Sequence, residues 1–195
     1  MDGNGRWAQA QGMARTEGHA AGEEALFDTV EGAQEIGIRW LTVFAFSTEN
    51  WKRPPEEVKF LMEFNESLLL RRSHELHERD VRIRFVGRRN WRVPKRVLRR
   101  MDEAVDLTQH NSGMTLNIAF NYGGRAEIID AVKEMIDDGV QIDRIDERTL
   151  ERYLYDSAMP DVDLLIRTSG EHRLSNFLLW QIAEGHITYC KLAEC

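Results

Sequence analysis

Apolar positions along this chain switch between a helical and an extended period. From about Ala20 to Ile36, the residues Leu26, Val30, Ala33 and Ile36 recur at helical spacing and predict one buried helix face. Trp40–Phe46 is a short continuous apolar run that reads as a buried strand. Pro54 and Pro55 open a long helix carrying Val58, Leu61, Met62, Leu68, Leu69 and Leu76, because proline suits a first helical turn. Val81, Ile83 and Phe85 alternate with Arg82 and Arg84, the pattern of a half-buried strand. Pro94 introduces a helix with Val97, Leu98, Met101 and Val105. Then come a strand at Met114–Phe120, a helix at Ala126–Asp138 and a short helix capped by Asp146 that ends near Leu154. A strand at Val162–Ile166, a helix at Asn176–Ala183 and a last strand at Ile187–Cys190 complete the order. Strands alternating with helices predict an α/β fold with a central, mostly parallel β-sheet flanked by helices.

Composition narrows this picture. The chain has 195 residues, a size that fills one domain, 1–195. No apolar run approaches the roughly 20 residues of a membrane span. Cys190 and Cys195 are the only cysteines, too few for a disulfide framework or a four-cysteine zinc site. With no leader ahead of the first motif, a reducing cytoplasm is the expected location. The net charge of −7 hides an uneven distribution: residues 71–100 carry twelve Lys/Arg and three acids. Such a basic belt is read either as a surface for an anionic partner or as a solvated face that neutralises the acidic remainder.

Ligands of parallel sheets sit beyond the carboxyl ends of the strands. There the chain places Ser47-Thr48-Glu49-Asn50-Trp51, Asn121-Tyr122-Gly123-Gly124-Arg125 and Arg167-Thr168-Ser169-Gly170-Glu171. The opening Met1-Asp2-Gly3-Asn4-Gly5-Arg6-Trp7 reads as a phosphate-binding turn or as a glycine-rich terminus. In the first reading Asp2 offers a carboxylate to Mg²⁺ and Arg6 pairs with phosphate oxygens. Arg15, Gly18, His19 and Gly22 follow, with the two glycines flanking an expected helix N-terminus where free N–H groups attract anions. His19 is a phosphate donor or a capping histidine. Arg167 and Arg173, with Ser175 two residues further, leave a strand through a glycine turn, a pattern that can cradle a diphosphate, whereas either arginine alone reads as a salt-bridged structural residue. Nucleotide-binding glycine loops, the G-x-S-x-G elbow and H-E-x-x-H are all missing, so ATP, nicotinamide, serine-hydrolase and zincin chemistry have no support. His74 and His77 share a helix without a third ligand and read as an exposed face.

These stretches carry a resemblance. Met1–Ala8, Gly18-His19-Ala20-Ala21-Gly22, Ala45–Pro54, Leu116–Arg125 and Asp163–Gln181 occur in the order seen in the cis-prenyltransferases, the undecaprenyl diphosphate synthase family. The resemblance covers nearly the whole chain. It implies the fold of that family, with an apolar tunnel for a growing prenyl chain that Phe46 and the helix at 58–70 would line. It implies Mg²⁺-dependent joining of an allylic diphosphate to isopentenyl diphosphate by a homodimer. Asp2 resembles the metal and diphosphate aspartate. Gly3, Asn4, Gly5, Arg6, Trp7, Arg15 and His19 resemble the allylic diphosphate site, and Arg167, Arg173 and Ser175 the isopentenyl diphosphate site. Ser47, Thr48, Glu49, Asn50, Trp51 and Arg53 look like the loop beside the reacting carbons, where Asn50, Ser47 or the released diphosphate takes the final proton.

Two departures bear on the second substrate. His186 stands where the family usually has a glutamate that binds Mg²⁺ near isopentenyl diphosphate, and imidazole is the poorer Mg²⁺ ligand. The chain also ends at Cys195, ahead of the basic arm usual in the family. Both make irregular coupling of two allylic diphosphates, such as dimethylallyl diphosphate, to a lavandulyl-type product the alternative reaction. A non-catalytic binding subunit is disfavoured because the phosphate-site arginines are present. Nucleic acid is not an expected partner, since no nucleic-acid-binding motif accompanies the belt. Contact of the belt with an anionic membrane is a secondary expectation.

Overall fold

The structure, a computed structural model, describes residues 3–189. The expectations placed on Asp2 and on Cys190 and Cys195 therefore lie outside the described residues. The first helix, α1 (Asn4–Ala10), starts from Gly3, whose φ of 89° is the left-handed conformation that glycine adopts without strain. A short link leads to α2 (Arg15–Glu35), five residues longer at its start than the periodicity predicts. Ile36 lies just past the end of α2 and is 77% exposed, so it leaves the apolar face on which Val30 and Ala33 remain buried.

The central sheet has three parallel strands in the order β1 (Trp40–Ser47), β3 (Thr115–Tyr122), β2 (Arg82–Val86). Trp40 and Arg82 both align with Thr115, so the three strand starts are level and their carboxyl ends open on one side. β3 is buried over nearly its whole length, while β1 keeps only Phe46 fully buried. A central strand covered on both faces explains that difference. Helices α3 (Pro55–Glu78) and α4 (Lys95–Thr108) each start at the proline pair or proline that the sequence marks, and they pack together. Phe46, Leu61, Met62, Val97, Met101 and Phe120 join in one apolar cluster between β1, β3 and these helices. Buried residues of α2, α3, β2 and β3 form a second cluster with Val30, Leu76, Val81, Ile83 and Leu116.

The rest of the chain adds α5 (Gly124–Asp137), the short α6 (Glu147–Glu151) and a separate parallel pair, β4 (Leu164–Arg167) with β5 (His186–Tyr189). Asp146 caps α6 by accepting the Thr149 N–H at 2.7 Å, as its position predicts. The helix predicted at Asn176–Ala183 is instead a series of turns. Ser175, Asn176 and Leu178 all have positive φ, of 50°, 63° and 43°, which no right-handed helix tolerates. No helix among the described residues is long and apolar enough to cross a membrane.

The basic belt is largely neutralised within the chain. Nine of its twelve cations face carboxylates, among them Arg71 and Arg72 on Glu23, Arg84 on Asp156 and Arg88 on Asp130. That pairing supports the reading of a face that balances the acidic remainder.

Candidate active site

Two arginine pairs, each held by one carboxylate, form the frame of the site. Arg6 on α1 donates to Glu171 Oε1 at 2.8 Å and to Ser169 Oγ at 3.1 Å. Glu171 Oε2 faces Arg173 at 2.5 Å. The Glu171 side chain thus ties α1 to the loop after β4. On the other side, Glu57 in the first turn of α3 faces Arg53 at 2.6 Å and Arg15 at 3.6 Å. The Arg15 guanidinium lies against Gly5, where a Cβ would be 3.1 Å from its Nε, so Gly5 leaves the room that lets the two halves of the frame meet. Arg167, at the end of β4, donates to Ser175 Oγ at 2.8 Å and to the Arg173 carbonyl. Arg6, Arg15, Arg53, Arg167 and Arg173 are therefore linked by contacts although the sequence separates the first three from the last two by more than a hundred residues. Gathering five guanidinium groups in one place makes a cradle whose donors suit a multiply charged oxyanion.

The predicted anion role of Gly18 and Gly22 is corrected. Because α2 starts at Arg15, neither glycine is at its beginning. A Cβ on Gly18 would lie 2.1 Å from the Asn4 carbonyl oxygen, and one on Gly22 would lie 2.1 Å from Asn4 Nδ2. The two glycines, one turn apart, form a groove that seats α1 on α2 and so holds Asn4, Gly5 and Arg6 in place. His19 is not a cap either. It is half-buried on α2, its ring 5.7 Å from that of Phe60 and 6.1 Å from that of Phe64. Burial, aided by the nearby positive Arg53, lowers its pKa and favours the neutral ring.

The loop after β1 is braced internally and from outside. The Ser47 N–H donates to Asn50 Oδ1 at 2.9 Å, starting a single 3₁₀ segment over Thr48–Lys52. Trp51 Nε1 donates to the buried Asn121 Oδ1 at 2.7 Å, and the Trp51 ring packs edge-on to Phe46 with centroids 4.9 Å apart. Asn176 Nδ2 donates to Glu49 Oε1 at 2.8 Å. Burial pushes the Glu49 carboxyl upward, but the hydrogen bonds from Asn176, its own backbone and neighbouring hydroxyls outweigh it and hold the group ionised.

Of the residues that the fold brings together here, the sequence singles out the arginines, His19, Ser175 and the loop after β1. It misses Glu57, Glu171 and Asn176. Glu171 carries a weak signal, lying between two arginines of one turn. Glu57 is four residues from Arg53, but Arg53 precedes the helix, so helical spacing does not reveal the pair. Asn176 gives no signal, because its partners, the first residues of α5 and Glu49, are distant in the sequence. Among the described residues no group of three His, Cys, Asp or Glu is placed to hold a metal.

Residues 1–193 match the family described as "Putative undecaprenyl diphosphate synthase". The chain is 56% identical over 193 residues to a trans,polycis-polyprenyl diphosphate synthase, (2Z,6E)-farnesyl diphosphate specific, of Thermobifida fusca, an alignment covering 97% of this chain and 68% of that protein. Its fold is similar to lavandulyl diphosphate synthase from Lavandula x intermedia in complex with dimethylallyl diphosphate, with a TM-score of 0.91 and 34% identity over 97% of this chain and 83% of that one. It is also similar to a probable undecaprenyl diphosphate synthase from Campylobacter jejuni, with a TM-score of 0.79 and 33% identity over 86% and 79% of the two chains. With the α/β fold, the arginine cradle and a match over 193 residues in agreement, the chain belongs to the undecaprenyl diphosphate synthase-like family of cis-prenyltransferases and is a prenyltransferase.

Proposed function

We propose that this prenyl diphosphate synthase joins an allylic diphosphate to isopentenyl diphosphate with a new cis double bond and releases diphosphate. The observation that carries the reading is the cradle itself, which links Arg6 and Arg15 to Arg167 and Arg173 and so offers adjacent sites to two diphosphates. Arg6 and Arg15 bind the allylic diphosphate and stabilise the charge that grows on it as its C–O bond breaks. Gly3, Asn4, Gly5 and Trp7 shape that subsite, and His19 donates one ring N–H to it. Asp2 is the residue that would hold Mg²⁺, which supplies further charge stabilisation to the departing diphosphate. Arg167, Arg173 and Ser175 hold isopentenyl diphosphate, whose alkene attacks the allylic carbon. Holding both reactants in line supplies a large part of the acceleration. Ser47, Thr48, Glu49, Asn50, Trp51 and Arg53 flank the reacting carbons. Asn50 Oδ1 already accepts from the Ser47 backbone, which favours the released diphosphate as acceptor of the final proton.

The apolar chain would grow into a tunnel between β1 and α3, beside Phe46. A homodimer in the cytoplasm, with peripheral membrane contact for long products, completes the proposal. Relatives named as polyprenyl diphosphate synthases support the regular reaction. A second reading, irregular coupling of two allylic diphosphates, is favoured by His186 at the first position of β5 and by the fold likeness to lavandulyl diphosphate synthase.

Product analysis by mass spectrometry and NMR separates the two. The protein is incubated with Mg²⁺ and allylic diphosphates, with and without isopentenyl diphosphate. Linear Z-products that require isopentenyl diphosphate are expected, and branched products formed without it would establish the second reading. Asp2→Ala is expected to abolish turnover with the fold intact.

A further inference from the structure

Asn176 makes three hydrogen bonds to distant parts of the chain, the start of α5 and the segment after β1. Its carbonyl accepts from Gly124 N–H at 2.7 Å and its Oδ1 from Arg125 N–H at 2.8 Å, so it caps α5 from a distant part of the chain. Its Nδ2 donates to Glu49 Oε1. Gly123 makes the space for it, since a Cβ there would lie 2.7 Å from Asn176 Nδ2 and 2.5 Å from Thr48 Oγ1. The residue is held at φ 63°, next to Ser175 at φ 50°. Asparagine is among the few non-glycine residues that adopt this conformation readily. Only an amide of this length both accepts from Arg125 and donates to Glu49; aspartate would set two carboxylates against each other.

We propose that Asn176 is a positioning residue that couples the diphosphate loop of Arg173 and Ser175 to the Ser47–Arg53 loop beside the reacting carbons. The inference rests on the reading of these loops as the two halves of a prenyl transfer site. An oxyanion fixed by Arg173 and Ser175 orders the adjoining Asn176, which through Glu49 holds the segment carrying Asn50 and Trp51. Filling the second diphosphate subsite thereby sets the loop at the bond-forming centre. Asn176 itself needs no contact with substrate for this role.

Asn176→Asp tests the coupling, because it keeps the size and the acceptor for Arg125 N–H and reverses only the contact with Glu49. We expect kcat to fall about tenfold and KM for isopentenyl diphosphate to rise about tenfold, the scale of one hydrogen bond to a charged group. The double variant Glu49→Gln/Asn176→Asp exchanges donor and acceptor and is expected to regain most of the loss. Amide hydrogen exchange over residues 47–53 gives a readout that needs no turnover. Inorganic diphosphate with Mg²⁺ is expected to slow this exchange in the natural protein, not in Asn176→Asp, and again in the double variant. A natural protein that makes no prenyl product but keeps this exchange pattern would overturn the reaction and uphold the coupling. Equal slowing in the natural protein and Asn176→Asp, or a double variant no better than Asn176→Asp, would overturn the coupling.

Discussion

Gly18 and Gly32 lie on the same helix and show how one residue type serves opposite ends. A methyl group on Gly18 would strike the Asn4 carbonyl at 2.1 Å, backbone that has no side-chain freedom to yield. Nothing lies within 4 Å of the corresponding position on Gly32. Gly18→Ala is therefore expected to lift α1 from α2, lower stability by about 1–3 kcal/mol and cut activity, because Arg6 moves with α1. Gly32→Ala should raise stability by about 0.5–1 kcal/mol, as replacing glycine in a helix interior generally does. Thermal melts and steady-state assays of the two variants check both signs. The sequence shows both glycines in one helical segment. It does not distinguish them, because the difference lies in what approaches from α1.

Between elements, ion pairs tie the ends of strands to the helices around them. Arg88, just after β2, makes a double contact with Asp130 of α5 at 2.6 and 2.7 Å, and Tyr155 donates its hydroxyl to the same carboxylate at 2.5 Å. The Arg88 hydrogen bond is the main cause that holds the Asp130 carboxyl below the ordinary aspartate range, with burial opposing it. A carboxyl whose pKa is depressed on folding stabilises the folded state above its ordinary value, and that stabilisation is lost as pH falls through the folded value. The melting temperature should thus drop as pH falls below about 4. In Asp130→Asn the protein should be less stable at pH 7, and this part of the acid dependence should vanish. Melts across the acid range measure it. Periodicity locates β2 and α5 to within a few residues, yet it gives no hint that Arg88 and Asp130 meet. The same limit explains the failed helix at Asn176–Ala183: its apolar spacing is helical, but three positive φ values serve contacts made elsewhere.

Across the whole molecule, the charge that matters is local. The belt at 71–100 looks strongest in the sequence and is mostly paired with acids of the chain itself. The cations of the proposed site are fewer, scattered, and gathered only when the amino-terminal helices meet the loop after β4. A ligand that binds only this assembled cradle stabilises the fold by mass action, by about 2.7 kcal/mol at one hundred times its dissociation constant. Inorganic diphosphate or an allylic diphosphate with Mg²⁺ is expected to raise the melting temperature, and a DNA or RNA oligonucleotide is expected not to. A thermal shift from the oligonucleotide alone would instead make the belt the ligand surface.

The sequence by itself determined the alternation of strands and helices and the family, because periodicity and motif order are local properties of the chain. Tertiary structure alone decided which arginines share a carboxylate, that Gly18 and Gly22 seat α1 within a helix that starts at Arg15, and that Asn176 joins its loop to the start of α5 and to the segment after β1. Those contacts link positions up to 165 residues apart, as Arg6 to Glu171 does. Their partners are chosen by packing and hydrogen-bond satisfaction in the folded chain, and no spacing along the sequence encodes them.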